Sequence, residues 1–393
     1  MKKRMPLILT IIFLCVIVIF SGIFIYINSS SIKFKDIYGS RSELGDNELV
    51  IAKDKGLFTE ELTVGVSSIN KKYVITEQKT GEINVLKDKK FFRGIYPTAE
   101  TFYEDESVMV DVTNLYNKGI PKLGVRLKDK KTNSYEEFKV EIPEYIHNSS
   151  RINGVSYKDG KIDILFFCNN GENNLLFGEI DIKNKKFELL ETINVDKELD
   201  LNKEYSHINE IMQRWGSASS NCNGKVYYKL TEINNKDERG TYTEDSIVEV
   251  DIDNKKITRY SLDENIREEL KNNSFEIDGK SGTMFEANGD IYIIEESEGV
   301  TSVLTFNMEL KKFTFYKDLI ESKRLERYGI NVNDLGNFMI VGDKVIANLI
   351  DYEHGRFYNK NYVAVIDIPS KNPVYVGELG SGYLSQIKVT GGK

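Results

Sequence analysis

Along most of this chain apolar and polar residues alternate in short runs, the period of half-buried β-strands, and these runs recur in a fixed order. A turn opens each recurrence, a strand rich in Ile, Val, Tyr or Phe follows, and an Asp- or Asn-containing hairpin closes it. One copy runs from Asp159-Gly160-Lys161-Ile162 to Asp181-Ile182-Lys183-Asn184-Lys185-Lys186-Phe187, and the next from Asn223-Gly224-Lys225-Val226-Tyr227 to Asp251-Ile252-Asp253-Asn254-Lys255-Lys256-Ile257. A third joins Asn288-Gly289-Asp290-Ile291-Tyr292 to Asn307-Met308-Glu309-Leu310-Lys311-Lys312-Phe313, and a fourth joins Gly342-Asp343-Lys344-Val345 to Asp367-Ile368-Pro369-Ser370-Lys371-Asn372.

Each copy, roughly 50 to 65 residues long, divides into four strands, A to D. The clearest has A at Asn337 to Val341, B at Lys344 to Ile350, C at Tyr362 to Asp367 and D at Pro373 to Gly377. Tight turns join A to B and C to D, and the spacing puts Asn184 and Asn254 at positions that tolerate left-handed backbone. Weaker copies upstream place A strands near residues 62 and 98. Three stretches have helical spacing instead: Leu199 to Arg214, Asp263 to Asn272 and Leu319 to Tyr328.

With these repeats the chain resembles the β-propeller superfamily, in particular membrane-anchored or secreted bacterial propellers with degenerate Gly-x-hydrophobic-Tyr and hydrophobic-Asp-Ile-x-Asn-Lys-Lys motifs. The resemblance spans roughly residues 32–390 and implies an all-β fold of stacked blades. Seven blades are expected, with six as the alternative. The strand Tyr383 to Val389 has no partner downstream, while Ile32 to Ile37 and Glu48 to Ala52 lack an A strand upstream. Pairing them closes the ring and removes exposed sheet edges. The resemblance transfers no catalytic residue and no cofactor.

The N-terminus breaks the β pattern. Lys2, Lys3 and Arg4 precede an uncharged apolar run from Met5 to Ile27, long enough for a transmembrane helix. The basic cluster ahead of it puts the first residues in the cytoplasm and the rest outside. Residues 1–30 thus read as a signal anchor and 31–393 as one extracytoplasmic domain, with cleavage near Asn28 to Ser31 as the other possibility. The whole chain carries 53 Lys and Arg against 61 Asp and Glu; without Lys2, Lys3 and Arg4, residues 31–393 carry 50 against 61, a net of −11. So acidic a domain argues against nucleic acid or anionic lipid as its main partner, and leaves room for a small basic patch.

Candidate chemistry is sparse. Cys168 and Cys222 outside the anchor make no disulfide scaffold, and His147, His207 and His354 are too far apart in sequence for metal-ligand spacing. No metal or cofactor site is expected, and Asp251-Ile252-Asp253-Asn254 reads as a hairpin with turn hydrogen bonds. The segment that best suits a ligand or partner surrounds the sole Trp: Arg214, Trp215, Ser217, Ser219 and Asn221. Trp and Arg are enriched at binding hot spots, although a Trp filling the gap between blades is the competing role. Two functions follow. One is a non-catalytic interaction or ligand-binding module at the cell envelope, meeting an envelope protein or small ligand. The other is a hydrolase or lyase of carbohydrate, peptide or lactone using rim carboxylates; Glu100 and Glu286 converging in one pocket would favour it.

Overall fold

The computed structural model describes residues 31–389 except for 56–57, 76–87, 89, 94–97, 99, 116–119, 170–172, 202–205, 211–223, 235–241, 273–282, 288, 298, 333, 353–359 and 381. These residues form two compact units, one from the two ends of the chain (1–77 and 320–393) and one from residues 78–319.

The N-terminal strands are β1 (Lys35–Gly39), β2 (Asn47–Lys55), β3 (Phe58–Val64) and β4 (Ile69–Ile75). The middle of the chain forms four antiparallel sheets, each of four strands in sequence order. The first holds β5 (Phe102–Glu104), β6 (Val108–Leu115), β7 (Lys122–Asp129) and β8 (Tyr135–Glu141). The second holds β9 (Ser150–Lys158), β10 (Lys161–Asn169), β11 (Asn173–Asp181) and β12 (Lys186–Asn194). The third holds β13 (Ser206–Glu210), β14 (Lys225–Asn234), β15 (Tyr242–Asp251) and β16 (Lys256–Ser261), and the fourth β17 (Thr283–Ala287), β18 (Asp290–Ser297), β19 (Val300–Asn307) and β20 (Lys312–Glu321). The C-terminal strands are β21 (Asp334–Val341), β22 (Lys344–Asp351), β23 (Lys360–Asp367), β24 (Asn372–Gly380) and β25 (Tyr383–Val389).

Period-two alternation lets each central strand serve two cores. On β10, Ile162, Ile164 and Phe166 pack with Val110, Val125 and Val140 of the preceding sheet, whereas Leu165 and Phe167 pack with Val226, Tyr228 and Val248 of the following one. The next interface repeats the arrangement, with Tyr227 and Ile247 against Ile291, Ile293 and Phe306. Burial on both faces is the reason the B and C strands are almost continuously apolar. Gly154 permits one close approach, since a Cβ there would meet Ile252 Cδ1 at 2.6 Å and Val226 Cγ2 at 2.7 Å.

The two chain ends share a sheet, ordered β25-β2-β3-β4. β25 pairs with β2 from Tyr383↔Ala52 to Val389↔Asn47, the pairing expected for Glu48 to Ala52. The other N-terminal strand goes elsewhere: β1 adds to β24 as the fifth strand of the neighbouring sheet. Within each unit, first strands of successive sheets lie beside one another, β5 by β9 and β21 by β25. Within each unit, consecutive antiparallel meanders stack face to face, and in the first unit one sheet is common to both termini; these are features of β-propeller blades.

The described residues form six sheets. The expected seventh does not separate because β3 and β4, read from sequence as the A and B strands of a first blade, are the third and fourth strands of the shared sheet. The helix expected over Leu199 to Arg214 is also corrected: Ser206–Glu210 pairs residue for residue with Tyr228–Glu232 as β13. A helix does form at Glu264–Asn272, and a short one, Ser322–Glu326, follows β20 within the third predicted stretch. No helix among the described residues is long and apolar enough to cross a membrane; the apolar run Met5 to Ile27 lies outside them.

Candidate functional site

The C-to-D hairpins organise the polar chemistry of the sheets. In five copies the first residue accepts a hydrogen bond from the backbone N–H three positions on: Asp129 from Thr132 (2.8 Å), Asp181 from Asn184 (3.0 Å), Asp251 from Asn254 (2.9 Å), Asn307 from Leu310 (2.6 Å) and Asp367 from Ser370 (2.9 Å). These are the turn hydrogen bonds expected at Asp251 and Asn254. The left-handed residue is not Asn184 or Asn254, however. It is the position after, occupied by Asn133, Lys185, Lys255, Lys311 and Lys371, all with φ between 52° and 56°. A lysine there costs about 1–2 kcal/mol more than a glycine.

Three of these lysines act on the preceding sheet. Lys185 Nζ lies 2.8 Å from Glu136 Oε1 and over the Phe138 ring. Lys311 bonds Glu249 and donates to Tyr227 Oη at 3.1 Å, above the rings of Tyr227 and Tyr260. The charge of Lys255 acts on Asp163.

Asp163 belongs to an acidic row. Ser156, Asp163 and Glu179 are register partners across β9, β10 and β11, and so share one face. The hairpin of the following sheet meets this row: Ser156 Oγ donates to Asp253 Oδ1 at 2.5 Å. Burial, with Glu179 and Asp253 nearby, pushes the Asp163 carboxyl up to about 6 against the opposing charges of Lys255 and Lys161. Glu179 in turn is paired to Lys161 at 2.8 Å. Tyr103, whose hydroxyl donates to Asp105 Oδ2 at 3.2 Å, is pushed up to about 12 by burial and by Asp105 and Asp253. One carboxyl able to hold or release a proton near neutrality thus stands near two further acidic side chains.

A second shifted acid lies on β6. Asp111 is fully buried, accepts a long bond from Thr101 Oγ1 (3.4 Å), and has the Thr113 hydroxyl as its other hydrogen-bonding neighbour. Burial pushes it up to about 7 despite Arg126 nearby. That guanidinium donates instead to the carbonyls of Phe91 (3.0 Å) and Arg93 (2.8 Å). In contrast, Glu249 accepts from Lys225, Lys311 and Tyr227, and these bonds hold it below the usual carboxylate range even though burial alone would raise it.

A polar groove of about 470 Å³ lies beside this region, lined by Glu191 to Asn194, Lys197, Glu198 and Lys255 to Ile257. It contains no His, Cys or Ser.

Arg214, Trp215, Ser217, Ser219 and Asn221 fall outside the described residues, as do Cys222 and His354. His147 is in the helix Glu144–Ser149 and His207 on β13. Glu286 is buried on β17 and Glu100 precedes β5; the acids that converge are Asp163, Glu179 and Asp253. Sequence reasoning passed over them, although a lone acid inside an apolar strand, as in Lys161-Ile162-Asp163-Ile164-Leu165 or Val110-Asp111-Val112, was a signal.

No protein-family profile matches the chain, and no curated protein does. Similar solved structures include the polysaccharide lyase Uly1 (11% identity over 70% of this chain, TM-score 0.33) and TolB from Acinetobacter baumannii (8% over 88%, TM-score 0.26). Another is the β-propeller domain of the Trilobed protease from Pyrococcus furiosus, with 11% identity over 88% of this chain and 94% of that one, TM-score 0.30. The chain spans 58% of the lyase and 66% of TolB. Likeness this distant carries no activity across.

Proposed function

We propose that this chain is a six-bladed propeller held outside the cell membrane by its N-terminal helix, and that it acts as a non-catalytic interaction module of the envelope. The observation that carries this reading is how the ionisable groups are used. Lys185 and Lys311 join neighbouring sheets, Glu249 is fully engaged, and the groove at Glu191 to Ile257 offers charge and hydrogen bonds. The partner surface is assigned to Arg214, Trp215 and the small polar residues after them.

The test is cross-linked capture of the intact chain from its own membrane, compared with Trp215→Ala. Loss of a defined envelope partner at an unchanged melting temperature is expected. Unchanged capture would remove this segment from the binding surface.

A second reading, a hydrolase or lyase of carbohydrate, peptide or lactone substrates, is favoured by the single observation that Asp163 is held near 6 beside Glu179 and Asp253. A carboxyl with a raised pKa close to a second acid is one part of what acid–base cleavage of a glycosidic bond requires. On that reading Asp163→Asn abolishes turnover without changing the fold.

A further inference from the structure

Ser31 is where the fold takes hold of the chain. Lys71 Nζ donates to Ser31 Oγ at 2.9 Å, Ile32 is buried in the core of the first unit, and Lys33 passes so near Gly380 that a Cβ there would meet its carbonyl oxygen at 2.8 Å. The preceding segment therefore leaves from a fixed place.

Strand register identifies that place as one end of two adjacent sheets. Asn361 pairs with Gly380 and Asp351 with Lys360, so Tyr352 stands just beyond this end. In the shared sheet Tyr383 pairs with Ala52, and Tyr73 lies one row farther out, opposite Glu60. All three tyrosines are exposed, Tyr73 and Tyr383 to 44% and Tyr352 to 41%. Lys33 and Lys35 are exposed as well, and Lys71 Nζ lies 5.3 Å from the centre of the Tyr73 ring.

We propose that this end of the first unit rests on the bilayer, its tyrosines among the lipid headgroups and Lys33 and Lys35 against anionic phospholipid. The inference rests on the anchor reading above. If Met5 to Ile27 spans the membrane, only Asn28, Ser29 and Ser30 separate the span from Ser31, and the four steps from Ile27 to Ser31 reach about 14 Å when fully extended. A headgroup layer takes up about 5–8 Å of that, so Ser31 is held within about 10 Å of the lipid surface. Tyrosine suits this depth because its ring is apolar and its hydroxyl is wet. Basic residues there oppose the repulsion that an acidic domain would otherwise meet at an anionic surface.

The full chain is reconstituted in vesicles of phosphatidylcholine, with or without phosphatidylglycerol, carrying a benzophenone side chain in place of Tyr352, Tyr383 or, at the opposite end of the sheet, Ser370. Irradiation is expected to give lipid adducts at 352 and 383 at least five-fold above 370. With phosphatidylglycerol present, Lys33→Glu with Lys35→Glu should lower them several-fold. If carbonate extracts the chain from the vesicles, the anchor reading fails and this inference with it. If the chain resists carbonate but adducts at 352 and 383 do not exceed those at 370, this inference alone is overturned.

Discussion

Glu249 and Asp111 are both buried acids on central strands, and the sheets treat them in opposite ways. Glu249 receives Lys225 at 2.7 Å, Tyr227 at 2.9 Å and Lys311 from the next sheet, and its carboxyl is held low. Asp111 has only neutral threonine hydroxyls, Thr101 and Thr113, as hydrogen-bonding neighbours, and its carboxyl is held high. Burial is common to both; the difference is the set of direct bonds that Glu249 receives, from Lys225 and Tyr227 of its own sheet and from Lys311 of the next. A buried carboxyl is held low where cations bond it directly, and high where they act only from a distance, as Arg126 does on Asp111 and Lys255 on Asp163.

Removing the joint should have the largest effect. Glu249→Ala leaves Lys225 and Lys311 facing each other without the anion between them. Breaking a buried pair costs about 3–5 kcal/mol, but the two lysine side chains keep 35% and 27% of their surface in water. The expected loss is about 2–3 kcal/mol, measured by urea unfolding at neutral pH. Because the folded pKa of Glu249 lies below its ordinary value, its contribution is present above about pH 4.5 and fades as the pH falls.

Asp111 should show the opposite slope. Its folded pKa of about 7 stands above the ordinary 3.8. Stability linked to it is complete below pH 3.8 and lost as the pH rises through 7, by about 4 kcal/mol at most. Asp111→Asn is therefore expected to stabilise the protein by about 2 kcal/mol at pH 8 and by less than about 1 at pH 5. Equal effects at the two pH values would mean that Asp111 is ionised throughout.

The comparison also marks what could be read from sequence. Repeats, hairpins and the pairing of the chain ends follow from local alternation and turn residues, which carry their own physics. The strand Ser206–Glu210 does not: Ile208, Ile211 and Met212 have helical spacing, and only the ladder to Tyr228–Glu232 overrides it. The left-handed lysines were misread for a related reason. Asn184 and Asn254 have the intrinsic tolerance, but the Asp cap on their own N–H groups fixes them in the turn and moves the positive φ one residue on. A lone acid in an apolar strand marks Asp163, but its meeting with Asp253 was not legible, because Asp253 comes from the next sheet and nothing local to Asp163 announces it.

The smallest effect is the most direct test of why lysine occupies the left-handed position. Lys371 and Lys311 share that conformation, with φ of 54° and 55°, but Lys311 reaches Glu249 and Tyr227, whereas Lys371 meets Arg324 through its backbone carbonyl. Lys371→Gly should then relieve strain and stabilise by about 0.5–1 kcal/mol. Lys311→Gly removes the same strain together with the inter-sheet bond, for a net loss of about 1 kcal/mol. In the Glu249→Ala background the bond is already gone, and Lys311→Gly should become stabilising, as it is at 371. A double-mutant cycle measures the change of sign. If Lys311→Gly costs the same with and without Glu249, the lysine is kept for some reason other than joining the sheets.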